Sequence, residues 1–376
     1  MTRPVLLVLA VALLQGTAAP VMVTVVNPIP VERPSETILL TAAALKDALS
    51  VTDLRTVRVR DEKTGADLLT QAIDRDDDGT LDELIFQADL SARETRRFAL
   101  TVGERRIPKR EEFRAYGRFH RERRDDFAWE NDRVAHRMYG AALETWKQEP
   151  LTSSGVDVWV KRTSRLVIND WYMVDDYHRD TGEGADLYSA GKTRGCGGSG
   201  LWRDGRLHAP PNFRNTRVLA QGPIRVMFEL MYEPSPATGT GAETRRITLD
   251  AGHHFNRFEL MHSPAPPAGT VLAAGIRVNP NSVAKAQVDD GSLRAWEPLK
   301  QEGHLGCAVI VPGMTANIEA EGNYLALAPL NSPIAVYYAG SAWDRGGQVK
   351  TVEEWDALIA REAARLRAPV TVRIGK

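Results

Sequence analysis

The stretch VDVWVK at residues 156–161 alternates valines with Asp157, Trp159 and Lys161. Successive side chains of a β-strand point to opposite faces, so the valines share one face and these three residues share the other. The pattern therefore predicts a strand whose valine face packs into a core. Similar alternating or β-branched runs, separated by Gly, Pro and Asp turns, recur at 21–26, 56–60, 83–88, 97–102, 224–232, 244–249, 255–261, 307–311, 324–327 and 334–338.

Helical patterns are few by comparison. Thr351 and Glu354 form a capping box that begins a helix near the end of the chain, and a short helix is predicted at 42–49. A strand at 370–374 then closes the chain. Many strands with few helices favour sandwiches over β-α-β units. The predicted fold class is all-β, with a small N-terminal β-sandwich, a large two-sheet sandwich and a C-terminal helix.

A basic stretch at 105–124 marks the predicted domain boundary. It carries nine Arg or Lys residues and few apolar ones. Because acidic residues are mixed into it or flank it, we interpret it as an exposed linker or edge; a basic patch for a polyanion is the alternative. The N-terminal sandwich is predicted to span 19–104 and the main sandwich 125–376.

Composition excludes several functional classes. The chain has 376 residues, with 48 Lys and Arg against 49 Asp and Glu, for a net charge of -1. This balance argues against a nucleic-acid partner. Two cysteines, Cys196 and Cys307, exclude a disulfide-rich scaffold and a four-cysteine zinc site, and their separation in sequence leaves open whether they pair.

The first residues have the order of a secretory signal peptide. Arg3 precedes an apolar run at 5–14 and small residues at 16–19. Cleavage is predicted after Ala18, so that 1–18 is removed. No cysteine follows the apolar run to carry a lipid anchor, and no later run is long and apolar enough for a membrane helix. We therefore expect a periplasmic or secreted protein without membrane insertion.

The acidic run DRDDDGTLD at 74–82 has the spacing of a loop that binds a hard cation. Carboxylates stand at positions 1, 3, 5 and 9 of the run, with Gly79 at position 6. An EF-hand also needs a bidentate Glu at position 12, where Ile85 stands. We predict a structural Ca²⁺ site in a hairpin; a turn whose acids face water is the alternative. The predicted ligands are Asp74, Asp76, Asp78, Thr80 and Asp82.

The functional site is expected between residues 125 and 202, which hold ten of the 26 aromatic residues. On the polar face of the 156–161 strand, Trp159 lies between opposite charges, an arrangement that suits sugar recognition. A tryptophan that fills a gap between two sheets is the alternative. A second alternation at 132–139 places Arg133, Arg137 and Tyr139 on one side.

His136 falls on the apolar side of this second alternation, where a core position is at least as plausible as a catalytic one. A long loop then follows at 175–200. It gathers titratable residues in one segment, as acid–base catalysis requires, and structureless segments of this length are usually functional. A solvated loop that only makes turns is the alternative. The predicted catalytic residues are His136, His178, Glu183, Asp186, Tyr188 and Arg194.

No nucleotide or organic cofactor is expected. Gly191, Lys192 and Thr193 resemble the end of a phosphate-binding loop, but the opening glycine of that motif would fall on Asp186. The run GSG at 198–200 is not a nucleophile elbow, because Leu201 stands where the motif G-x-S-x-G needs its last glycine.

Four long runs resemble a family of secreted bacterial proteins of unknown function, found among polysaccharide-utilisation genes and often beside pectin-degrading enzymes. The resemblance covers nearly the whole mature chain, including the acidic run at 74–82. It implies an exported protein of acidic-glycan breakdown, with a two-sheet fold like that of galactose mutarotase. It assigns no catalytic residue. The runs are DDFAWENDRVAHRMYG (125–140), SGVDVWVKRTS (154–164), DDYHRDTGEGADLYSAGKTRGCGGSGLW (175–202) and RITLDAG (246–252).

The first of three hypotheses is an enzyme that acts on a uronate-containing sugar by β-elimination or by epimerase- or mutarotase-type proton transfer. An arginine, Arg194 or Arg133, would pair with the uronate carboxylate and acidify the neighbouring C–H. His178 or Tyr188 would move the proton, and an acid of the same loop would orient it. The predicted substrate-binding residues are Trp129, Arg133, Arg137, Asp157, Trp159, Lys161 and Trp171.

The other two hypotheses use different chemistry. A glycoside hydrolase would use a carboxylate pair, Glu183 with Asp186 or Asp157, whose separation in space would decide the stereochemical outcome. A non-catalytic glycan-binding protein would present Trp129, Trp159 and Trp171 as a platform. All three hypotheses imply an acidic oligosaccharide or polysaccharide as the partner.

Overall fold

A computed structural model describes residues 20–123, 125–147, 151–174, 177–236 and 240–375. The predicted signal peptide at 1–18 lies outside these residues. The predicted all-β class is confirmed, since a small sandwich is followed by a larger one and a long helix lies near the end of the chain. None of the helices in the described ranges is long and apolar enough to cross a membrane.

The elements follow one another in this order. The first part contains β1 (Val21–Val26), β2 (Arg33–Thr41), α1 (Ala42–Leu49), β3 (Val57–Asp61), β4 (Asp67–Leu68), β5 (Thr70–Ile73), β6 (Glu83–Leu90) and β7 (Thr95–Val102). The middle part contains β8 (Ala115–His120), β9 (Asp126–Asn131), β10 (Ala135–Met138), β11 (Asp157–Lys161), α2 (Ile168–Tyr172) and β12 (Gly184–Ala185).

The last part contains β13 (Cys196–Arg203), β14 (Arg206–His208), β15 (Asn215–Ala220), β16 (Arg225–Tyr232), β17 (Ala242–Asp250), β18 (Phe255–Ser263), β19 (Val271–Arg277), β20 (Val283–Gln287), β21 (Ser292–Pro298), β22 (His304–Ile310), β23 (Ala316–Ala320), β24 (Asn323–Pro329), β25 (Ile334–Trp343), α3 (Val352–Arg367) and β26 (Thr371–Gly375).

The first sandwich packs a sheet of order β26-β1-β7-β3-β4 against a sheet of order β2-β6-β5. Its core includes Val23, Leu40, Phe86 and Phe98, and the two phenylalanine rings meet edge to face at 4.9 Å. The last strand of the chain, β26, pairs with β1, so the chain returns to this sandwich at its end. The predicted domain boundary at 125–376 instead assigned this strand to the main sandwich. Pairing between segments that are distant in sequence leaves no local signal, so the sequence could not show it.

The main sandwich is built on an eight-stranded sheet of order β15-β16-β17-β18-β25-β22-β21-β20. One face of this sheet packs on two five-stranded sheets, β14-β13-β19-β24-β23 and β12-β11-β10-β9-β8. Phe127 of β9, for example, stacks on Phe228 of β16 with 4.1 Å between ring centroids. A disulfide between Cys196 and Cys307 joins β13 to β22 and so links two of the sheets.

The opposite face of the eight-stranded sheet is covered by α3 and by the first sandwich. Thr351 caps α3 as the capping box predicts, accepting a hydrogen bond from the Glu354 amide at 3.3 Å. Trp355 of α3 stacks on Phe255 of the sheet. Gln71 of the first sandwich accepts a hydrogen bond from the Arg225 amide at 2.8 Å, which fixes the two sandwiches against each other.

The basic stretch at 105–124, predicted as an exposed linker or edge, contains an edge strand. Its second half forms β8, which pairs with β9 as the edge strand of a five-stranded sheet. Gly117 allows this strand to lie on the core, because a Cβ there would stand 2.9 Å from the Cβ of Trp129. Charge alone suggested an exposed segment, whereas the small and aromatic residues within the stretch pack against the sheet.

His136 lies in the core, on the apolar side of β10. Its ring stacks on Trp129 with 5.4 Å between centroids, and its Nε2 lies 3.4 Å from the Asn256 amide nitrogen and from the Ser341 hydroxyl. Burial lowers the pKa of His136 to about 3 and that of His254 to about 4. Both imidazoles are therefore neutral in the folded protein at neutral pH.

This burial predicts a loss of stability in acid. Below pH 6.5 the unfolded chain takes up protons that the folded protein does not, so stability falls as the pH drops toward the folded pKa values. Between pH 7 and pH 4.5 the unfolding free energy of His136→Gln should therefore fall by roughly 2 kcal/mol less than that of the wild type, as measured by urea denaturation. The matched control is His208→Gln, at a partly exposed residue; equal pH dependence in both variants would contradict the prediction.

Candidate active site on the polar face of a five-stranded sheet

The predicted alternation of β10 and β11 is confirmed. Arg137 pairs in register with Asp157 on the neighbouring strand, so both side chains project from the same face of the sheet. Val158 and Phe127 lie on the other face, inside the main core. The sheet therefore has an apolar face against the core and a polar face, on which Asp126 of β9 also lies.

Arg137 is bound by three carboxylates on the polar face. Its Nε lies 2.8 Å from Asp157 Oδ2, its Nη2 lies 2.9 Å from Asp186 Oδ2, and its Nη1 lies 3.6 Å from Asp126 Oδ2. All four side chains are largely buried. Burial alone would lower the pKa of Arg137, but the charges of Asp186 and Asp157 outweigh it and raise the pKa well above its usual value. The guanidinium is thus permanently charged and fully engaged.

Two tyrosines stand beside this network. Tyr139 donates a hydrogen bond to Asp157 Oδ2 at 2.7 Å. Tyr188 is only 4% exposed, and none of the described residues gives its hydroxyl a hydrogen-bond partner. The Arg277 guanidinium lies 4.2 Å from the centroid of the Tyr188 ring. Burial raises the pKa of both phenols well above 10, so each stays protonated at neutral pH and can act as an acid.

His178 lies at the rim of the same region, with its side chain 60% exposed. Its Nδ1 is 3.2 Å from the carbonyl oxygen of Asp186 and 3.5 Å from Asp186 Oδ2. A hydrogen bond from Nδ1 to the Asp186 carbonyl oxygen requires the tautomer with the proton on Nδ1, in which Nε2 carries the lone pair. The His178 ring also stacks on Tyr177 at 4.4 Å. This is the arrangement of an oriented general base.

These groups line one cleft of about 830 Å³, which we name the Arg137 cleft. Other lining residues are Trp146, whose ring offers an apolar surface, and Lys300 and Arg179, which supply positive charge. A concave site that combines apolar rings with a few convergent polar groups is typical of a small-molecule or sugar site. The structure thus brings together the predicted residues His178, Asp186, Tyr188, Arg137 and Asp157.

The three predicted sugar-binding tryptophans are buried instead of forming an exposed platform. Trp159 is 1% exposed because α2 and the segment after it cover the polar face, and its ring stacks on Trp171 at 5.5 Å. Trp129 lies on the core face and donates a hydrogen bond to Asn256 Oδ1 at 2.7 Å. Trp159 is thus buried, as the alternative interpretation supposed, but it fills the space between its own sheet and α2 and not a gap between two sheets.

Lys161 is also buried on the polar face. Its Nζ donates hydrogen bonds to Glu130 Oε2 at 2.6 Å and to the carbonyl oxygen of Asn131 at 2.8 Å. The other oxygen of Glu130 accepts hydrogen bonds from the amides of Val167 and Ile168, at the start of α2. This pair therefore attaches α2 to the sheet rather than facing solvent.

Arg194 and Glu183 lie outside the Arg137 cleft. Arg194 is buried and donates hydrogen bonds to the hydroxyls of Ser154 and Ser153 at 3.0 and 3.1 Å. Burial lowers its pKa to about 10. Glu183 is held at the surface by two hydrogen bonds from Arg165. Arg194 and Glu183 were assigned to the site because they share one loop with His178. In the structure Arg194 points into the protein interior and Glu183 lies at the surface.

The predicted site residues omitted several residues that line the cleft, among them Asp126, Tyr139, Trp146, Tyr177, Arg179 and Lys300. A signal for Tyr139 was present, because it lies on the same side as Arg137 in the alternation at 132–139, and Asp126 alternates in the same way with the apolar residues of β9. Trp146 and Tyr177 lie in loops, where no periodicity shows the direction of a side chain.

The acidic run at 74–82 connects β5 and β6, which pair as a hairpin in agreement with the prediction. Ligand oxygens of Asp74, Asp76 and Asp78 lie within 4.8 Å of one another. Asp82 turns toward the loop, where its Oδ2 accepts a hydrogen bond from the Arg75 amide at 2.7 Å. Calcium binding, with Thr80 contributing a carbonyl, stays a prediction.

Calcium should raise the melting temperature if this prediction is correct, because a ligand that binds only the folded state stabilises it. The paired change Asp76→Asn with Asp78→Asn should abolish the response, measured by thermal denaturation with calcium or with a chelator. The paired change Asp47→Asn with Asp67→Asn removes the same charge from exposed positions elsewhere and should leave the response intact. A melting temperature that does not change with calcium would contradict the site.

A second prediction concerns Arg137. The change Arg137→Met leaves three buried carboxylates without their common cation and should lower the unfolding free energy by about 3–5 kcal/mol in urea denaturation. Arg203→Met, which removes an arginine paired with the exposed Asp204, should cost less than about 0.5 kcal/mol. Equal losses in the two variants would show that the network does not hold the site together.

Comparisons with known proteins agree with this architecture. Two solved structures from Enterococcus faecalis, a protein in glycosyl hydrolase family 38 and an alpha-mannosidase, are similar to 95% of this chain, each with a TM-score of 0.50 and with identities of 11% and 10%. This chain spans 47% and 46% of their lengths, about half of each. At such identities the similarity shows the fold alone.

Sequence relatives share more. Uncharacterized protein P7 of Formosa agariphila is 32% identical over 335 residues, which is 84% of this chain and 84% of that protein. The family described as Domain of unknown function (DUF4861) matches residues 25–372. Because this match covers nearly the whole chain, the protein belongs to the DUF4861 family.

Proposed function

We propose that this protein is a carbohydrate-active enzyme that moves a proton on a sugar bound in the Arg137 cleft. The observation that carries the proposal is that an oriented histidine, His178 with Asp186, lines the same cleft as the buried hydroxyl of Tyr188, to which no described residue hydrogen-bonds. The structural similarity to a glycosyl hydrolase family 38 protein and an alpha-mannosidase supports a sugar as the substrate.

His178 acts as the base in this proposal. With its proton on Nδ1, the lone pair of Nε2 accepts a proton from the sugar carbon next to a carboxylate. Asp186 keeps the imidazole in this tautomer and stabilises the imidazolium that forms. Exposure of His178 at the rim lets a bound sugar reach it directly, whereas contact with the buried Tyr188 hydroxyl requires side chains above it to move.

Tyr188 acts as the acid. In a β-elimination, the electrons of the broken C–H bond form a C=C bond while the bond between the neighbouring carbon and the leaving oxygen breaks. The Tyr188 hydroxyl gives its proton to that oxygen, which is possible because burial keeps the phenol protonated at neutral pH. The proton on His178 then returns to Tyr188 through solvent. An epimerase would instead return a proton to the same carbon from the opposite face.

Positive charge at the rim supports a uronate as the substrate. Lys300 and Arg179 line the cleft on the side that is open to solvent, and a sugar carboxylate bound there would be partly neutralised, which acidifies the adjacent C–H. Arg137 cannot take this part, since three carboxylates already occupy its guanidinium. Its role is to position Asp186 and Asp157.

Hydrolysis is the second candidate, favoured by one observation. Asp157 and Asp186 both line the cleft, on two sides of the Arg137 guanidinium, so a carboxylate pair is present where a sugar would bind. A pair of carboxyl groups that flanks a glycosidic bond is the general requirement of glycosidases.

We also propose that the protein is exported and acts on pectin-like glycans. The disulfide between Cys196 and Cys307 supports export, because disulfides form and persist mainly in oxidising compartments. Pectic oligosaccharides are the first substrates to test, because they contain the uronate sugars that the proposed proton transfer needs.

The proton-transfer proposal predicts that His178→Ala and Tyr188→Phe each lower turnover by about 100-fold or more. Turnover is followed on uronate oligosaccharides by ultraviolet absorbance of new C=C bonds, by reducing ends, and by NMR for epimerisation. The matched controls are His208→Ala, at a histidine that also faces a backbone carbonyl, and Tyr324→Phe, at a partly buried tyrosine outside the cleft.

New reducing ends without C=C absorbance would favour the hydrolysis candidate instead. Binding without turnover on any substrate, or full activity in both cleft variants, would contradict proton transfer by His178 and Tyr188. Melting temperatures near that of the wild type are expected for His178→Ala, because its side chain is mostly exposed.

A further inference from the structure

A second concave region lies at the other end of the polar face. Arg133 lies in the turn between β9 and β10, two residues before β10 begins. Beside it is a pocket of about 170 Å³, which we name the Arg133 pocket. Its lining includes Arg133, Lys161, Arg162, Thr163, Ser164 and Gln348.

Arg133 has no carboxylate partner in the part of the chain that the structure describes. Its Nε is buried and makes no hydrogen bond to any described residue. A buried guanidinium nitrogen that lacks an acceptor costs free energy unless a ligand or water supplies one. This contrasts with Arg137, whose guanidinium is bound by three acids.

The neighbouring charges do not compensate Arg133. Lys161 and Arg162 add positive charge to the lining, although Glu130 and Asp180 pair with them. The carboxylate of Asp132, which also lines the pocket, accepts a hydrogen bond from the Gly252 amide at 2.6 Å. Three cationic side chains and one carboxylate thus surround the space, so its charge favours an anion.

Hydroxyl groups and a larger groove complete the arrangement. Thr163 and Ser164 line the Arg133 pocket and also line a groove of about 1210 Å³, which we name the outer groove. The outer groove carries the rings of Phe113 and Tyr116 and the exposed cation of Arg114. Aromatic rings with hydroxyl and guanidinium groups suit an extended sugar chain.

We infer that the Arg133 pocket binds the anionic group, a carboxylate or a sulfate ester, of a glycan whose neighbouring sugars lie in the outer groove. Arg133 supplies the charge and the orphaned Nε–H, and Ser164 and Thr163 supply hydrogen bonds to the remaining oxygens. This site lies apart from the Arg137 cleft and contains none of its catalytic residues. The inference depends on the proposed function in one respect only, namely that the ligand is a glycan.

Calorimetric titration of the full chain tests the inference. The probes are a galacturonate trimer, a sulfated galactose trimer and the neutral galactose trimer. We expect one or both anionic trimers to bind at least about ten-fold more tightly than the neutral one, and Arg133→Gln to remove this preference. Arg373→Gln, which removes an exposed arginine from the first sandwich, should bind like the wild type. The anionic trimer that binds identifies the group.

Ser164→Asp provides an independent variant at an exposed position, where folding should be unaffected. It places a carboxylate in the pocket and should weaken the anionic trimers while leaving the neutral trimer unchanged. Equal preference in the wild type, Arg133→Gln and Ser164→Asp, or no preference of the wild type for an anionic trimer, would overturn the inference.

Titrations in a His178→Ala background separate this result from that of the proposed function. Anion binding that depends on Arg133 in this background supports the pocket whether or not the cleft is catalytic. Absence of any preference for an anionic trimer in the His178→Ala protein, in which Arg133 is intact, together with normal turnover by the wild type, would count against the pocket alone.

Discussion

The ion pairs of Arg137 with three carboxylates are the interaction on which the candidate site depends. Asp126 comes from β9, Asp157 from β11 and Asp186 from the segment after β12, so one guanidinium joins three separate parts of the chain. Buried charges are tolerated only when each is paired, and removing one partner is strongly destabilising. The same guanidinium therefore fixes both the register of these strands and the path of the chain that runs from α2 to Asp186 over the polar face.

The position of the segment around Asp186 determines where His178 lies. Because Asp186 is fixed by Arg137, its carbonyl and carboxylate oxygens can hold the His178 ring at the rim of the cleft. At the other end of the same face, Glu130 binds Lys161 and the first amides of α2. Between these two anchors the rings of Trp171 and Tyr177 pack on Trp159. Ion pairs are stronger in such a buried region, because its dielectric constant is lower than that of water.

Strand periodicity predicted much of this site, and its limits have a physical cause. The alternations at 132–139 and 156–161 correctly divided apolar from polar faces, because the direction of a side chain is set locally by the backbone. Whether a polar face meets water depends on segments far away in sequence. Trp159 therefore lies under α2, and Arg194 turned inward although it shares a loop with His178. The pairing of β26 with β1 likewise joins segments that are far apart in sequence, so no local pattern predicts it.

The two ends of the polar face differ in charge, and this difference would orient an acidic glycan. Among the described residues, six acidic and three basic side chains line the Arg137 cleft, so an anionic group is repelled from its depth, where Arg137 is already paired, and meets positive charge at the rim, near Lys300. The Arg133 pocket has the opposite balance. A chain with several anionic groups would be held at the Arg133 end and would present one sugar to His178, provided that it passes around the aromatic cover rather than beneath it.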